Sequence, residues 1–367
     1  MVIEEHAYLE ILLPNEEKWR NIGENDIIQN SLSITQKCMD DSTFMLGGVY
    51  SAQMSAKVRI IGENVNSYTV TGAKILVYSW YGDDRNSRRL RGVFWATSVT
   101  KNGDIFTISA SDPLIWLDSA SYGEEGGSAN PLYHLLEATL GSLTSRLKII
   151  IDFVNQMLDE DKKIDYYYTS YIINHYPGNV GYCLLPSDIV GEISTKNPRD
   201  YVSWLAEIAC GFVFVDNSDD VPKIRIGQFG EDIGVGMGNE ISWDEVELNS
   251  CEIADFSLKF DYCVATVYTG KTEYSSVHNS GGIVIDLSDN PFKDGFWHYN
   301  WQDCHGILEN IIQKLNNEKV IFRPFSLKCH CAKYFELGQK IRLPDGRNST
   351  LTSIKWLFRG GYTLGCT

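Results

Sequence analysis

Apolar and polar residues alternate with period two near both ends of this chain. In residues 56–61, Val58 and Ile60 sit between Lys57 and Arg59, the pattern of a half-buried strand. Residues 69–81 and 90–99 are runs rich in β-branched and aromatic side chains. Gly103 predicts a hairpin turn between 90–99 and 105–110. Several strands separated by polar turns predict a small barrel or sandwich for the amino-terminal part.

The pattern changes after Asp118. Residues 119–130 are rich in glycine and serine and read as a linker. Helical spacing follows at 132–140 and 147–158. Asn197-Pro198-Arg199-Asp200 opens another helix, with Asp200 as its expected N-cap and Val202, Leu205, Ala206, Ile208 and Ala209 as its apolar side. Gly211 is expected to stop that helix, and 212–215 with 223–226 form a hairpin. From Cys251 the strand pattern returns at 256–269. It gives way to a helix over 303–316, with Ile307, Leu308, Ile311, Ile312 and Leu315 on one side, and resumes at 320–333, 339–343, 349–358 and 362–366.

One phrase occurs twice. Phe94-Trp95-Ala96-Thr97-Ser98-Val99, a turn at Lys101-Asn102-Gly103-Asp104, and Phe106-Thr107-Ile108-Ser109-Ala110 form the first copy. Leu351-Thr352-Ser353-Ile354, a turn at Arg359-Gly360-Gly361, and Tyr362-Thr363-Leu364-Gly365-Cys366 form the second. Both read Thr-Ser-aliphatic, a glycine-bearing turn, then aromatic-Thr-aliphatic-small-small. The expected fold is therefore β-rich α+β, with two similar antiparallel β-barrels flanking a mixed α/β middle. The expected divisions are 1–118 for the first barrel, 119–250 for the middle domain and 251–367 for the second barrel with its embedded helix. Three copies of a chain with two such modules would make a six-module ring.

At 367 residues, two or three cores are expected, and 43% hydrophobic with 12% aromatic content can fill them. The formal charge of −16 argues against a nucleic-acid-gripping surface, which relies on Lys and Arg to displace counterions. An acidic wall still suits a conduit through which nucleic acid slides; the alternative is that acidity serves solubility. The 9 cysteines are irregularly spaced and odd in number, and Met1-Val2-Ile3-Glu4-Glu5-His6 lacks the marks of a signal peptide. Reduced thiols and synthesis in a cytosol are the expectation. No apolar stretch is long enough to span a bilayer.

Candidate chemistry is sparse. Cys329-His330-Cys331, with Cys304-His305, invites a zinc reading, but neighbouring strand side chains point to opposite faces and would carry His330 away from the two thiols. Residues 216–220 and 286–295 resemble calcium loops in composition only, and Val221 stands where the first would need its glycine. Neither a GxSxG elbow, an HExxH helix nor a phosphate-cradling loop is present, and the 7 histidines pair with no nucleophile at an interpretable spacing. No catalytic, cofactor-binding or metal-binding residue is nominated, and no cofactor is expected. Tyr166-Tyr167-Tyr168 with Tyr171 and Tyr176 reads as a core or subunit contact, with a carbohydrate surface as the alternative.

In this order the pieces resemble a phage tail hub protein, of the family related to the baseplate hub of contractile-tailed phages and to the amino-terminal part of tail-associated proteins of siphophages. The likeness lies in Asn30-Ser31-Leu32-Ser33-Ile34-Thr35 with Phe44-Met45-Leu46-Gly47-Gly48-Val49-Tyr50, and in Gly92-Val93-Phe94-Trp95 through Ala110-Ser111-Asp112. It extends to the helix and hairpin of 198–226 and to Leu337-Gly338-Gln339-Lys340-Ile341. The resemblance implies two tube-like barrels per subunit and a homotrimer with pseudo-six-fold symmetry. It implies a ring that adapts a six-fold tail tube to a three-fold tip and lines the DNA channel. The implied partners are the chain itself, a distal tail or tube protein, a tape-measure protein and tip or fibre proteins, with DNA only in passage and no stable membrane insertion. The implied location is the host cytoplasm during assembly, then the virion tail. Longer relatives continue into lytic parts; the sequence reaches Thr367 directly after the second barrel, so no hydrolase activity is carried over. A cell-wall carbohydrate-binding tail protein and a tail-associated peptidoglycan hydrolase are the alternative readings.

Overall fold

The computed structural model describes residues 4–14, 16–40, 43–61, 65–118, 143–166, 197–217, 221–229, 240–266, 272–276, 281–290, 301–317 and 320–366. The linker and helix expected at 119–130 and 132–140, and the tyrosines at 167, 168, 171 and 176, lie outside them.

The amino-terminal part supplies β1 (Glu5–Leu12), β2 (Arg20–Ile22), β3 (Ser33–Lys37), β4 (Gln53–Arg59), helix α1 (Ser67–Val70), β5 (Lys74–Tyr81), β6 (Arg89–Asn102) and β7 (Ile105–Ser111). The middle supplies α2 (Leu143–Asn155), β8 (Asp165–Tyr166), α3 (Pro198–Ile208), β9 (Gly211–Asp216) and β10 (Lys223–Gln228). Then come β11 (Val246–Ile253), β12 (Phe260–Thr266), β13 (Thr272–Ser276), β14 (Ile283–Asp286), α4 (Trp301–Leu315), β15 (Phe325–Cys329), β16 (Lys340–Arg342), β17 (Asn348–Thr350), β18 (Ser353–Leu357) and β19 (Gly361–Cys366).

The two ends of the chain share one antiparallel sheet of 11 strands, ordered β11-β15-β19-β18-β3-β4-β7-β6-β5-β1-β2. Within it a strand order repeats. β3-β4-β7-β6 runs first, second, fourth, third in sequence, and so does β11-β15-β19-β18. The repeat carries register as well as order. Ser98 opposes Ser109 and Ser353 opposes Gly365; Val58 opposes Phe106 and Cys329 opposes Tyr362. This superimposes Met54-Ser55-Ala56-Lys57-Val58 on Phe325-Ser326-Leu327-Lys328-Cys329, with the same alternation of buried and exposed positions.

Local devices repeat too. A 3-10 turn (Glu24–Asp26, Trp243–Glu245) precedes each first strand. Asn30 and Asn249 then take left-handed φ of 57° and 59°, a region that asparagine tolerates better than most residues. The serine that follows clips each first strand to the second: Ser31 Oγ accepts from Lys57 N–H (3.0 Å) and shares its hydrogen between Ile28 O (2.6 Å) and Lys57 O (3.1 Å), while Ser250 Oγ accepts from Lys328 N–H (3.3 Å) and shares its hydrogen between Glu247 O (2.7 Å) and Lys328 O (3.2 Å). Gly72 and Gly338, at φ 82° and 76°, donate to Ala96 O and Leu351 O, both at 2.8 Å. Since each serine clip supplies a donor and an acceptor to an otherwise interrupted ladder, Ser31→Ala and Ser250→Ala should each lower stability by about 1 kcal/mol, additively in the double variant. Urea denaturation checks this; unequal or strongly non-additive losses would argue that the clips are not equivalent.

Several expected boundaries shift for local reasons. The first residues of 69–81 are helical because Asn66 Oδ1 accepts from Thr69 N–H (3.0 Å) and Thr69 Oγ1 from Asn66 N–H (2.9 Å), so the strand begins only at Lys74. The N-cap of α3 is Asn197, with Asp200 at the third helical position reaching back to Asn197 N–H (3.0 Å) and Pro198 leading the helix. Cys210, at φ 55°, turns the chain after α3; Gly211 belongs to β9, where a Cβ would lie 1.9 Å from Gly227 O. The run 256–269 narrows to Phe260–Thr266 among described residues, and 320–333 to Phe325–Cys329. The run 349–358 breaks at Leu351-Thr352, the place where the equivalent β6 carries a bulge at Thr97.

The core is continuous through the sheet and the middle helices. Phe44, Phe212, Phe229, Phe260 and Phe322 interlock with centroid distances of 4.6–5.9 Å, tying the first strands to the middle hairpin and to β12. Helix α3 is docked by Arg199, which bonds Asp118 Oδ1 (2.6 Å), Leu114 O (2.8 Å) and Val49 O.

Candidate functional site

The described residues hold no group of three or more His, Cys, Asp or Glu placed to bind a metal. Cys329 closes β15 with its side chain buried, and its Sγ lies 4.0 Å from Cys331 Sγ. Burial pushes the Cys210 thiol up to about 12 and the Cys366 thiol up to about 11, which disfavours the reactive thiolate. Asp112 is buried and Glu207 half-buried, and desolvation pushes each carboxyl up to about 7. Asp112 caps backbone N–H groups of Ala52 (2.9 Å) and Leu114 (3.1 Å), and Glu207 accepts from Asn290 Nδ2 (2.8 Å). Both hold chain segments in place.

What the fold does build is a long polar face. Side chains opposite one another across the ladder share a face, so the register defines rows across the sheet. One row reads Lys328, Thr363, Lys355, Thr35, Gln53, Ser111 and ends at the buried Trp95; another reads Ser98, Ser109, Ser55, Ser33, Leu357, Gly361. A third runs Glu252, Ser326, Gly365, Ser353, Lys37. Short hydroxyl side chains and spaced lysines dominate, and Glu252 is the one carboxylate in these rows.

The opposite face holds the seam between the two repeats together. β18 lies antiparallel to β3, with Ile354 opposite Gln36 and Trp356 opposite Ile34. Trp356 is 3% exposed and donates from Nε1 to Glu5 Oε1 (2.7 Å), while Glu5 Oε2 accepts from Arg359 N–H (2.7 Å). Beside it, Arg91 donates from Nε to Ser79 Oγ (2.6 Å) and lies over the rings of Tyr334 (4.3 Å) and Trp356 (4.8 Å). Tyr81 Oη and Tyr362 Oη meet at 3.3 Å, and Tyr362 Oη donates to Lys333 O (2.8 Å). A cavity of about 440 Å³ opens next to this cluster, lined in part by Arg88, Arg89, Arg225 and Glu336. Strands from both ends of the chain are thus fused through a buried aromatic–cation clasp. The hairpin repeat was readable in the sequence; the clasp was not, because Glu5, Arg91 and Trp356 are far apart along the chain and share no motif.

No protein-family model matches this chain, and no curated protein matches it significantly. Its fold is similar to that of the 43 kDa tail protein of prophage MuSo2 from Shewanella oneidensis, at 11% identity and a TM-score of 0.54, over 98% of this chain and 98% of that one. It is likewise similar to the tail protein from Neisseria meningitidis MC58, at 7% identity and a TM-score of 0.54, over 99% of this chain and 95% of that one. Along nearly its whole length, the chain has the fold of prophage tail proteins.

Proposed function

We propose that this chain is a structural hub of a phage or prophage tail, a ring subunit that adapts a six-fold tube to a three-fold tip. The observation that carries the reading is the duplicated strand unit, with its two copies joined side by side in one sheet. A chain that already presents two equivalent modules needs three copies to offer six. In this reading the two modules are tube-like barrels, the first over 1–118 and the second over 251–367, with the mixed module of 119–250 between them. β11 (Val246–Ile253), which opens the second copy of the strand repeat, straddles the later boundary.

The hydroxyl-and-lysine face would line the channel. Serine and threonine make weak, exchangeable bonds to a passing phosphate chain, and scattered lysines supply little of the counterion release that tight nucleic-acid binding requires. The role is positional rather than catalytic: the ring holds the tube end, seats the tip and lets DNA pass. Its partners would be further copies of itself, a distal tail or tube protein, a tape-measure protein and tip or fibre proteins. Assembly would take place in the host cytoplasm and the finished ring would reside in the virion tail. The test is electron microscopy of the full chain mixed with the tail proteins encoded beside it. Three-fold rings with six lobes around an axial lumen are expected; compact single subunits under every condition would refute the hub reading.

A further inference from the structure

A short cationic run leads into β6. Arg85-Asn86-Ser87-Arg88-Arg89-Leu90-Arg91 packs four arginines into 7 residues of a chain whose formal charge is −16. Its start is fixed by Asp84, whose Oδ1 accepts from Asn86 N–H (2.9 Å) and whose carbonyl accepts from Ser87 Oγ (2.7 Å). Within the strand, Val77 opposes Gly92 and Tyr78 opposes Leu90, so Arg91 is the extra residue of a bulge, a device that re-aims a side chain. Arg88, Arg89 and Arg91 line the cavity of about 440 Å³ where β6 meets the middle hairpin and the seam between the repeats. Asn217 Oδ1 accepts from Val93 N–H (3.3 Å) and holds the hairpin against β6 there.

The cavity has the size of a ligand pocket, and its cations are unevenly answered. Arg225 is paired with Asp216 at 3.5 Å. The half-buried Arg91 bonds hydroxyls instead, Nε to Ser79 Oγ (2.6 Å) and Nη2 to Tyr81 Oη (3.4 Å). Among the described residues, no carboxylate is ion-paired with Arg88, Arg89 or Arg91. A guanidinium drawn out of water without a counter-ion is costly, and an anion in the cavity would remove that cost. Arg89 and Arg91 both lie over the Tyr334 ring, at 4.4 and 4.3 Å. Stacking fixes a guanidinium plane and leaves its N–H edge for the two oxygens of a carboxylate. Phe335, Trp356 and Tyr362 give the same cavity an aromatic wall.

We infer that this cavity binds a short acidic segment of a partner protein, seating a carboxylate against Arg89 and Arg91 and an apolar side chain against the aromatic wall. The mouth favours a segment over a lone anion, because Arg88 and Arg89 are exposed and the exposed Arg85 carries positive charge beyond the cavity. Nucleic acid fits less well. Asp83 and Asp84 stand directly before the run, and a strand with a phosphate at every nucleotide would meet them and the rest of an acidic chain. Glu336 also lines the cavity, lies in the field of Arg89 and is ion-paired with no cation among the described residues. Its charge competes with the guest's, so neutralising it favours the guest. The site stands on the cavity alone and is independent of the ring reading.

The experiment measures binding of fluorescein-labelled hexapeptides to the full chain by anisotropy. The panel combines Glu or Asp with Phe, Tyr or Leu. Controls are the same peptides with Gln and Asn in place of the acids, inorganic phosphate as a competitor, and a labelled single-stranded DNA. Acidic peptides are expected to bind and their amide counterparts to fail. Arg89→Gln is expected to weaken binding about tenfold, the scale of one hydrogen bond to a charged group. Arg89→Lys keeps the charge without the fork and should recover only part of that loss. Glu336→Gln is expected to tighten binding several-fold, a gain that misfolding cannot produce. Arg59→Gln, outside the cavity, should change nothing. Failure of every acidic peptide to bind, or equal effects of Arg59→Gln and Arg89→Gln, overturns the site. Displacement by phosphate at concentrations comparable to the peptide overturns the segment in favour of a simple anion site. Tighter, Arg89-dependent binding of the DNA overturns it in favour of nucleic acid.

Discussion

Replacing Trp356 with alanine is expected to lower stability by about 3–5 kcal/mol, the range for deleting a buried large aromatic, and Tm by roughly 5 °C. Trp356 fills the clasp at the seam, carries the face over which Arg91 lies, and satisfies Glu5 from across the sheet. Its removal opens a cavity between the two repeats and strips one of the partners of a half-buried carboxylate. Trp356→Phe keeps most of the volume and loses only the Nε1 bond, so a loss of about 1–2 kcal/mol is expected. Glu5→Gln tests the other end of the bond, and coupling between the Trp356 and Glu5 variants in a double-mutant cycle would measure it. Chemical denaturation followed by near-ultraviolet circular dichroism is the appropriate readout. Equal, small losses for both Trp356 variants would mean that the clasp does not hold the seam.

The second large effect is on pH. Desolvation by burial raises Asp112 to about 7, partly offset by its bonds from Ala52 and Leu114 and by Arg199, and desolvation likewise raises Glu207 to about 7 against its Asn290 bond. In the unfolded chain both carboxyls release their protons near 4. Between roughly pH 4 and pH 7 the folded protein therefore binds more protons than the unfolded one, and stability falls as pH rises through that window. Above about 7 both states are deprotonated at these sites and their contribution is level. The loss is expected to reach a few kcal/mol for the two groups together. Melting temperature should thus be higher near pH 5 than near pH 8, and Asp112→Asn with Glu207→Gln should flatten the slope. A wild-type Tm that rises from pH 5 to pH 8 would refute the assignment.

Much of the sheet was legible because period-two alternation and turn chemistry are local signals. The repeat from 94–110 to 351–366 aligned residue for residue with the observed register, since Thr-Ser-aliphatic and aromatic-Thr-aliphatic mark fixed positions on the two strands of a hairpin. The rest of the repeat escaped because its residues changed while their geometry stayed. Gln29-Asn30-Ser31-Leu32-Ser33-Ile34 and Leu248-Asn249-Ser250-Cys251-Glu252-Ile253 share Asn-Ser, which gains meaning only once the left-handed turn and the serine clip are seen. Asn66 and Asn197 each outcompeted the expectation nearby, the first by nucleating a short helix where β-branched residues pointed to a strand, the second by taking the cap from Asp200. The seam and the polar face depend on pairing between strands far apart along the chain, and no local pattern reports that.

The seam between the repeats joins the third strand of one to the first strand of the other. The two repeats of one chain are therefore related as head to tail and not across a dyad. A single rotation and shift carries the first repeat onto the second, and the angle between β18 and β3 sets how strongly the shared sheet bends at its middle.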